Sequence, residues 1–183
     1  MRLCIALLGS ACVASAAWAG DGPGTDTVGQ WYIAPQIGWT ITDSSRRVDD
    51  DAFYGLALGK HLNDHWSAEL NVVRGKYAGR RAAPGLRITA VSADALRVFD
   101  RGSMISPFLT AGAGVIADDP TGGGSQTSFM AQGGAGALIH LWENDSGSAS
   151  FSLRPEAKLR WDAGGRYQRP LDVLVGLGFE FAF

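Results

Sequence analysis

The sequence predicts an all-β fold, an eight-stranded antiparallel up-and-down transmembrane β-barrel, and three observations lead to it. First, apolar residues alternate with small or polar ones in eight segments, each close to the ~10 residues that a tilted strand needs to cross a bilayer. Second, long polar connections alternate with generally shorter ones along the chain. Third, the stretch VGLGFEFAF, residues 175–183, places its large apolar side chains on one parity.

Residues 1–19 have the pattern of a Sec-type signal peptide. Arg2 precedes an apolar run from Leu3 to Leu8, and a small-residue stretch ends in Ala17-Trp18-Ala19. The apolar run is shorter than the ~20 residues of a spanning helix, which disfavours an N-terminal membrane anchor. Lipoprotein processing at Cys12 is a second alternative, but the usual upstream leucine is missing. We therefore expect export, with residues 1–19 removed.

The mature chain is expected to be a short lead-in followed by one domain. Both cysteines, Cys4 and Cys12, lie in the predicted signal peptide, so we expect no disulfide and no cysteine-based metal site. Residues 20–29 are rich in glycine, proline, aspartate and threonine, which predicts a flexible lead-in. Residues 30–183 then form the barrel domain. The formal net charge is −2, so no basic surplus indicates a nucleic-acid partner.

The strands are predicted from period-2 alternation, in chain order. In the first, WYIAPQIGWTIT, alternate residues from Trp31 to Ile41 form one apolar face, interrupted only by Pro35. In the second and fourth, Lys60 and Arg97 disturb the parity, so each either snorkels to the membrane interface or marks a bulge. The predicted segments are 31–42, 52–62, 66–75, 87–99, 107–117, 128–142, 151–161, and a last strand that includes Asp172 and ends at Phe183.

The connections between these segments alternate in length and polarity. Long loops at one end and short turns at the other are typical of outer-membrane barrels. The long polar connections are 43–51, 76–86, 118–127 and 162–169, and the generally shorter ones are 63–65, 100–106 and 143–148. Aromatic residues lie at strand ends, where they predict interfacial girdles: Trp31, Trp39, Trp66, Trp142 and Trp161, with Phe99 and Phe183.

Glycine and alanine are mixed into the polar faces of the strands. The chain has 25 glycines, more than average usage would give. A soluble sandwich would need long charged residues on its outer faces. A closed barrel of about eight strands has an interior just wide enough for side chains, which requires small residues among large ones. The composition therefore favours the barrel over a soluble lipocalin-like or sandwich fold, with the apolar face turned to lipid.

The C-terminal strand carries a motif that looks like a known assembly signal. Gly178-x-x-Phe181-x-Phe183 resembles the signal of bacterial outer-membrane barrels, and the internal stretches WYIAPQIGWT, GLALGKHLNDHWSAEL, PFLTAGAGV and LRPEAKLRW resemble the OmpA-like eight-stranded barrel family. This resemblance implies an outer-membrane location in a Gram-negative cell, contact with outer-membrane lipid and lipopolysaccharide, handling by the barrel-assembly machinery, and a monomer. It covers the barrel alone, so we expect no peptidoglycan-binding domain.

Charged residues at inward positions predict a lumen filled by ion pairs. Buried charges must be paired, and residues two apart on a strand share one face. The predicted network comprises Glu69, Asp94, Arg154, Glu156, Lys158, Arg160, Asp172 and Glu180. In the family that the chain resembles, a lumenal glutamate paired with arginine or lysine looks like a plug or gate, which implies Glu69 with Arg154 or Lys158 here. A static packed network and a gate both remain open.

The three histidines are the candidate residues for an enzyme site. Some small outer-membrane barrels modify lipid A and need a histidine with a nearby serine and an acid. The H-x-S spacing of such deacylases is missing at His140, and His61 and His65 are expected at a turn. No metal-ligand spacing, nucleophile elbow or phosphate loop occurs in the sequence. We therefore expect no catalytic residue, no metal and no cofactor.

The long loops contain paired acids and paired arginines. Acidic clusters such as Asp49–Asp51 and Asp118-Asp119 bind Ca²⁺ weakly, bridge to lipopolysaccharide through divalent ions, or are simply solvated. Loop arginines either grip lipopolysaccharide phosphates or are ordinary solvated residues: Arg46, Arg47, Arg80, Arg81, Arg166 and Arg169. The predicted role is structural, in envelope integrity. The alternatives are a narrow low-conductance channel gated by the lumenal pairs and, third, a lipid-A-modifying enzyme.

Overall fold

A computed structural model describes residues 28–80, 83–163 and 170–183. The predicted signal peptide and most of the lead-in, with Arg81, Arg166 and Arg169, lie outside the described residues. Within those ranges the chain forms eight strands and one short 3-10 helix at Ser44–Arg46. The strands are β1 (Trp31–Ile41), β2 (Asp51–His61), β3 (Trp66–Tyr77), β4 (Leu86–Val98), β5 (Ile105–Pro120), β6 (Gln126–Glu143), β7 (Ser150–Asp162) and β8 (Leu171–Ala182).

The eight strands close into one antiparallel barrel in chain order, as the alternation predicts. Each strand pairs with the next, and β1 pairs with β8 in a register that sets Trp39 opposite Val175. Closure pairs both edges of the sheet, which a hydrocarbon environment requires. At one end, here called the turn end, β1 begins, β8 ends and the short connections lie. At the opposite loop end lie residues 42–50 and 121–125, together with the described residues 78–80, 83–85, 163 and 170.

Among the strands that are longer than the sequence predicts, β5 and β6 gain the most residues. β5 and β6 have 16 and 18 residues, so the connection predicted over 118–127 shrinks to 121–125. The reason is that Asp118 and Asp119 belong to the strand although they look like loop residues. Asp119 pairs with Arg87 of β4 at 3.7 Å, and Asp118 points into the barrel mouth, where it meets a cation from a loop.

Lys60 and Arg97 face outward on regular strands. The register of β2 and β4 with their neighbours runs through both residues without a shift. Lys60 lies over the Trp31 ring, with Nζ 5.4 Å from its centroid, and Arg97 lies over the rings of Trp66 and Phe99. Lys60 and Arg97 therefore snorkel outward, and neither of them marks a bulge. The register shift occurs instead in β6, between His140 and Trp142.

Small residues in the barrel wall make room for large lumenal side chains. A Cβ atom at Gly59 would overlap the Tyr32 ring, and one at Gly112 would overlap the Asp94 carboxylate. Tyr32 and Asp94 can therefore lie flat against the neighbouring strand. Apolar clusters also pack in the lumen, one toward the loop end that includes Tyr77 and Ile116, and another toward the turn end that includes Phe108. No helix among the described residues is long and apolar enough to span a membrane.

Candidate functional site

The middle of the lumen is occupied by ion pairs around Arg154 of β7. Period-2 alternation turns Arg154 inward, where it is 3% exposed. Its guanidinium contacts three carboxylates: Glu69 of β3 at 2.9 Å, Glu156 at 3.1 Å and Glu180 of β8 at 3.4 Å. The Glu69 contact is bidentate, since the second guanidinium nitrogen also donates to it, at 3.1 Å. One side chain thus ties three strands together across the lumen.

Lys158 extends this group toward β4. Its ammonium lies 3.0 Å from Glu156, 3.8 Å from Asp94 and 3.9 Å from Glu69. Two neutral side chains also donate hydrogen bonds to these carboxylates: the Tyr32 hydroxyl donates to Glu69 at 3.0 Å, and Gln132 donates to Asp94 at 2.7 Å. The central cluster is defined here as Glu69, Asp94, Arg154, Glu156, Lys158 and Glu180. All six side chains of the central cluster are buried.

A second group of ion pairs fills the loop end and is built around a loop residue. Arg46, in the 3-10 helix, is 2% exposed and reaches Asp118 at 2.7 Å, Asp172 at 3.2 Å and Asp162 at 3.5 Å. Arg160 pairs with Asp172 at 3.0 Å. These five residues form the loop-end cluster. In the described part of the chain, its ion pairs and those of the central cluster share no residue, so the single predicted network is divided into two layers.

Two expectations about the loops are wrong for members of the loop-end cluster. The sequence predicts Arg46 on the loop surface and Asp118 in an acidic loop, but both are buried and paired with each other. Burial alone would lower the pKa of Arg46, yet Asp172 and Asp118 hold it above its ordinary value. The fold of the loop supports this position, because the Ser45 amide donates to Asp43 and holds the pKa of that carboxyl below its usual range.

Arg101, in the connection between β4 and β5, contacts lumenal residues at the turn end of the barrel. It donates to the His61 Nδ1 atom at 2.9 Å and to the Ser67 hydroxyl at 2.7 Å, while burial lowers its pKa. Because an arginine can only donate, His61 Nδ1 is an acceptor here, and its other nitrogen faces Glu180 at 3.8 Å. His61 was expected at a turn, but it is the last residue of β2 and its side chain is buried in the lumen.

A histidine and serine pair lies across β6 and β7. The Ser152 hydroxyl is 3.1 Å from His140 Nδ1, and the two residues are direct neighbours in register. The H-x-S spacing along one strand does not reveal this pair, because its two residues lie on neighbouring strands and meet through strand pairing. Ser152 is buried in the lumen, and the other ring nitrogen of His140 has no hydrogen-bond partner among the described residues. A nucleophile would need an acid behind the histidine and a route for substrate.

Two other kinds of predicted feature are metal ligands and aromatic residues at the membrane interfaces. The described residues contain no group of three or more His, Cys, Asp or Glu placed to hold a metal ion. All five tryptophans predicted at the interfaces face outward, three at the turn end and two at the loop end: Trp31, Trp66 and Trp142, then Trp39 and Trp161.

The residues of the predicted assembly signal lie on β8 and just beyond it. Gly178 pairs with Gln36 of β1 and with Arg154 of β7. The Phe181 and Phe183 rings lie outside the barrel with their centroids 6.0 Å apart. Phe183 exchanges two backbone hydrogen bonds with Trp31, at 3.0 and 2.8 Å. This end of the chain therefore completes the seam between β1 and β8.

Comparisons with known proteins agree with this architecture. Among solved structures, similar folds include Neisserial surface protein A, with a TM-score of 0.70 and 16% identity over 84% of this chain and 97% of that one. The N-terminal β-barrel domain of Pseudomonas aeruginosa OprF gives a TM-score of 0.53 and 22% identity over 85% and 99%. OprG from Pseudomonas aeruginosa gives 0.57 and 13% over 86% and 97%. No curated protein sequence matches the chain significantly.

The family follows from a sequence match that spans nearly the whole chain. The profile described as "Outer membrane protein beta-barrel domain" matches residues 4–181. This match and the shared folds confirm the resemblance to OmpA-like eight-stranded barrels. An outer-membrane location follows from that membership. The chain belongs to the family of outer membrane protein β-barrel domains.

Proposed function

We propose that this protein is a structural component of the outer membrane whose lumen is closed to ions. The observation that carries the proposal is the central cluster, in which Arg154 joins β3, β7 and β8 through buried carboxylates. The cleft beside Arg154, lined by Ala34, Ala57 and Gly178, is too narrow to hold a water molecule. An ion crossing the lumen would have to separate these pairs and lose its own hydration, which is expensive away from water.

The same proposal includes the route and surroundings of the protein. Residues 1–19 direct export, the barrel-assembly machinery reads the C-terminal strand, and the mature chain functions as a monomer in contact with lipid and lipopolysaccharide. Exposed loop arginines support contact with lipopolysaccharide phosphates. Arg80 is one of them, and it makes a surface pair with Asp49 at 2.5 Å. Such a pair is weak in water and leaves the guanidinium available to other anions.

The role in envelope integrity is tested by deletion and complementation. Deleting the gene in the bacterium that encodes it should increase the entry of a hydrophobic dye and the sensitivity to sodium dodecyl sulfate. Plasmid-borne wild-type protein should restore both, and so should Asp145→Asn, a control variant at an exposed residue of the turn end. Unchanged permeability in the deletion strain would contradict a structural role.

A narrow channel gated by the lumenal pairs is the second candidate, and the position of Glu69 favours it. This carboxylate lies between two cations, Arg154 at 2.9 Å and Lys158 at 3.9 Å, so either could hold it while the other moves. In a gated channel, Glu69→Ala raises the single-channel conductance in planar bilayers. An unchanged trace supports the structural role, and Glu143→Ala, a glutamate at the turn end of β6, is the control.

We also propose that the barrel modifies no lipid A. This part of the proposal is supported by the position of the two histidine and serine pairs, which lie inside the lumen rather than on the lipid-facing wall: His61 with Ser67, and His140 with Ser152. In addition, Arg101 donates to both members of the His61 and Ser67 pair. Deacylation of lipopolysaccharide by the purified protein, abolished by His140→Ala, would contradict this part of the proposal.

A further inference from the structure

A groove runs up the outer wall of the barrel from its turn end, across β1 to β4. It has a volume of about 630 Å³, within the ~300–1,000 Å³ typical of small-ligand sites. Large apolar side chains rise around a low floor, because the outward positions at its centre are alanines. Its rim includes Trp31, Leu58 and Leu70, and its floor includes Ala68, Ala93 and Ala95. Glu69 and Asp94 also line it, but their side chains are 0% exposed and pair with Lys158 in the lumen. We call this feature the turn-end groove.

Two cations lie at the lower end of the turn-end groove. Lys60 lines it directly, and Arg97 faces outward on β4, two residues beyond Ala95 of the floor. Their neighbours across the strands are Ala68 and Trp66, adjacent outward positions of β3. In the described part of the chain neither cation has a carboxylate within ion-pair distance, since each lies over aromatic rings instead. Both charges are therefore available to an anion at the level of the membrane interface.

We propose that the turn-end groove binds one anionic glycerophospholipid from the periplasmic leaflet. An acyl chain lies on the alanine floor, and the phosphate lies between Lys60 and Arg97. The short turns of such barrels face the periplasm, which sets this groove in that leaflet. Charge complementarity selects the occupant: a lipid with net negative charge gains from two interfacial cations, and the aromatic rings hold those cations at headgroup depth. This site depends on the outer wall alone and not on a closed lumen.

Native mass spectrometry of the refolded chain in detergent micelles tests the proposal. With dioleoyl phosphatidylglycerol as the probe, one lipid should remain bound, and phosphatidylethanolamine should bind more weakly. The double variant Lys60→Gln/Arg97→Gln should weaken binding of the glycerol lipid about thirtyfold, the effect expected from two interfacial cations. Lys76→Gln, an outward lysine at the loop end of β3, should leave binding unchanged. Each variant is compared only after its unheated gel band shows a folded barrel.

A third variant separates the groove from its charges. Ala95→Phe fills the floor while leaving both cations in place, and it should also lose the lipid. Three results would overturn the proposal: equal binding of phosphatidylglycerol by the wild type and the double variant, equal binding of the two lipids, or displacement of the lipid by inorganic phosphate. Retention of the lipid by Ala95→Phe would also overturn it, because the acyl chain would then lie elsewhere.

Discussion

Arg154 has an environment that an isolated charge could not tolerate. It is buried among Glu69, Glu156 and Glu180, and its guanidinium also lies 5.0 Å from the centre of the Phe108 ring. Lys158 also contacts Glu69 and Glu156, but loss of Arg154 would still leave all three carboxylates with fewer partners in an interior that offers little water. The stability of the barrel therefore depends on keeping Arg154 together with its acids rather than on any one pair.

Replacing Arg154 with leucine should strongly destabilise the barrel. The three carboxylates would lose their shared cation, and breaking a buried pair by removing one partner costs about 3–5 kcal/mol. Urea titration of the protein refolded in lipid vesicles measures the change in the free energy of unfolding. Arg74→Leu is the matched control, since Arg74 faces outward on β3 and is exposed, and it should change stability far less. Equal losses in the two variants would show that the lumenal pairs contribute nothing special.

At the scale of elements, the first loop behaves as part of the barrel mouth. Arg46 bonds to residues of β5, β7 and β8, while Val48 is 2% exposed and packs with Tyr77 and Ile88. A bridge between Val48 and Gly79 joins the loop to the β3–β4 connection. Loops on barrels are usually solvated, but this one buries a charge and an apolar side chain in the lumen.

Removing the Arg46 side chain should release this loop without unfolding the strands. Arg46→Ala removes the cation that Asp118, Asp162 and Asp172 share, although Arg160 still pairs with Asp172. The repulsion that remains among the carboxylates opposes packing of residues 42–50 into the mouth. Hydrogen exchange should then be faster at the amides of Ser45 to Val48. Arg47→Asn is the control, because Arg47 is exposed at a φ of 53° that asparagine accepts. Exchange in Arg46→Ala as slow as in the control would contradict the role of Arg46.

The sequence predicts the positions of the strands better than it predicts which side chains contact each other in the lumen. Period-2 alternation locates all eight strands and turns Arg154 and Lys158 inward, because side-chain direction depends only on parity. It cannot locate Arg46, since a loop has no period. It also misses the bond between His140 and Ser152, because register between strands depends on turn lengths and closure, and those are properties of the whole sheet.

At the scale of the whole molecule, the barrel has an apolar outer surface that faces lipid and an interior filled by charged side chains. Apolar side chains such as Ile37, Val175 and Leu177 cover the outside, while the central and loop-end clusters cross the inside in two layers. The length of the strands, the outward aromatics and the closed sheet all suit a bilayer. Whether anything passes through the molecule then depends on the two ion-pair layers.

Single-channel recording of the wild-type chain in planar lipid bilayers tests this account most directly. The refolded protein, checked first for a heat-modifiable band on a gel, is added at increasing concentration under an applied voltage. A lumen closed by Arg154 and Arg46 with their acids should give no current steps beyond those of protein-free bilayers. Reproducible open-channel steps whose frequency rises with the amount of protein would contradict the closed lumen and support the gated channel.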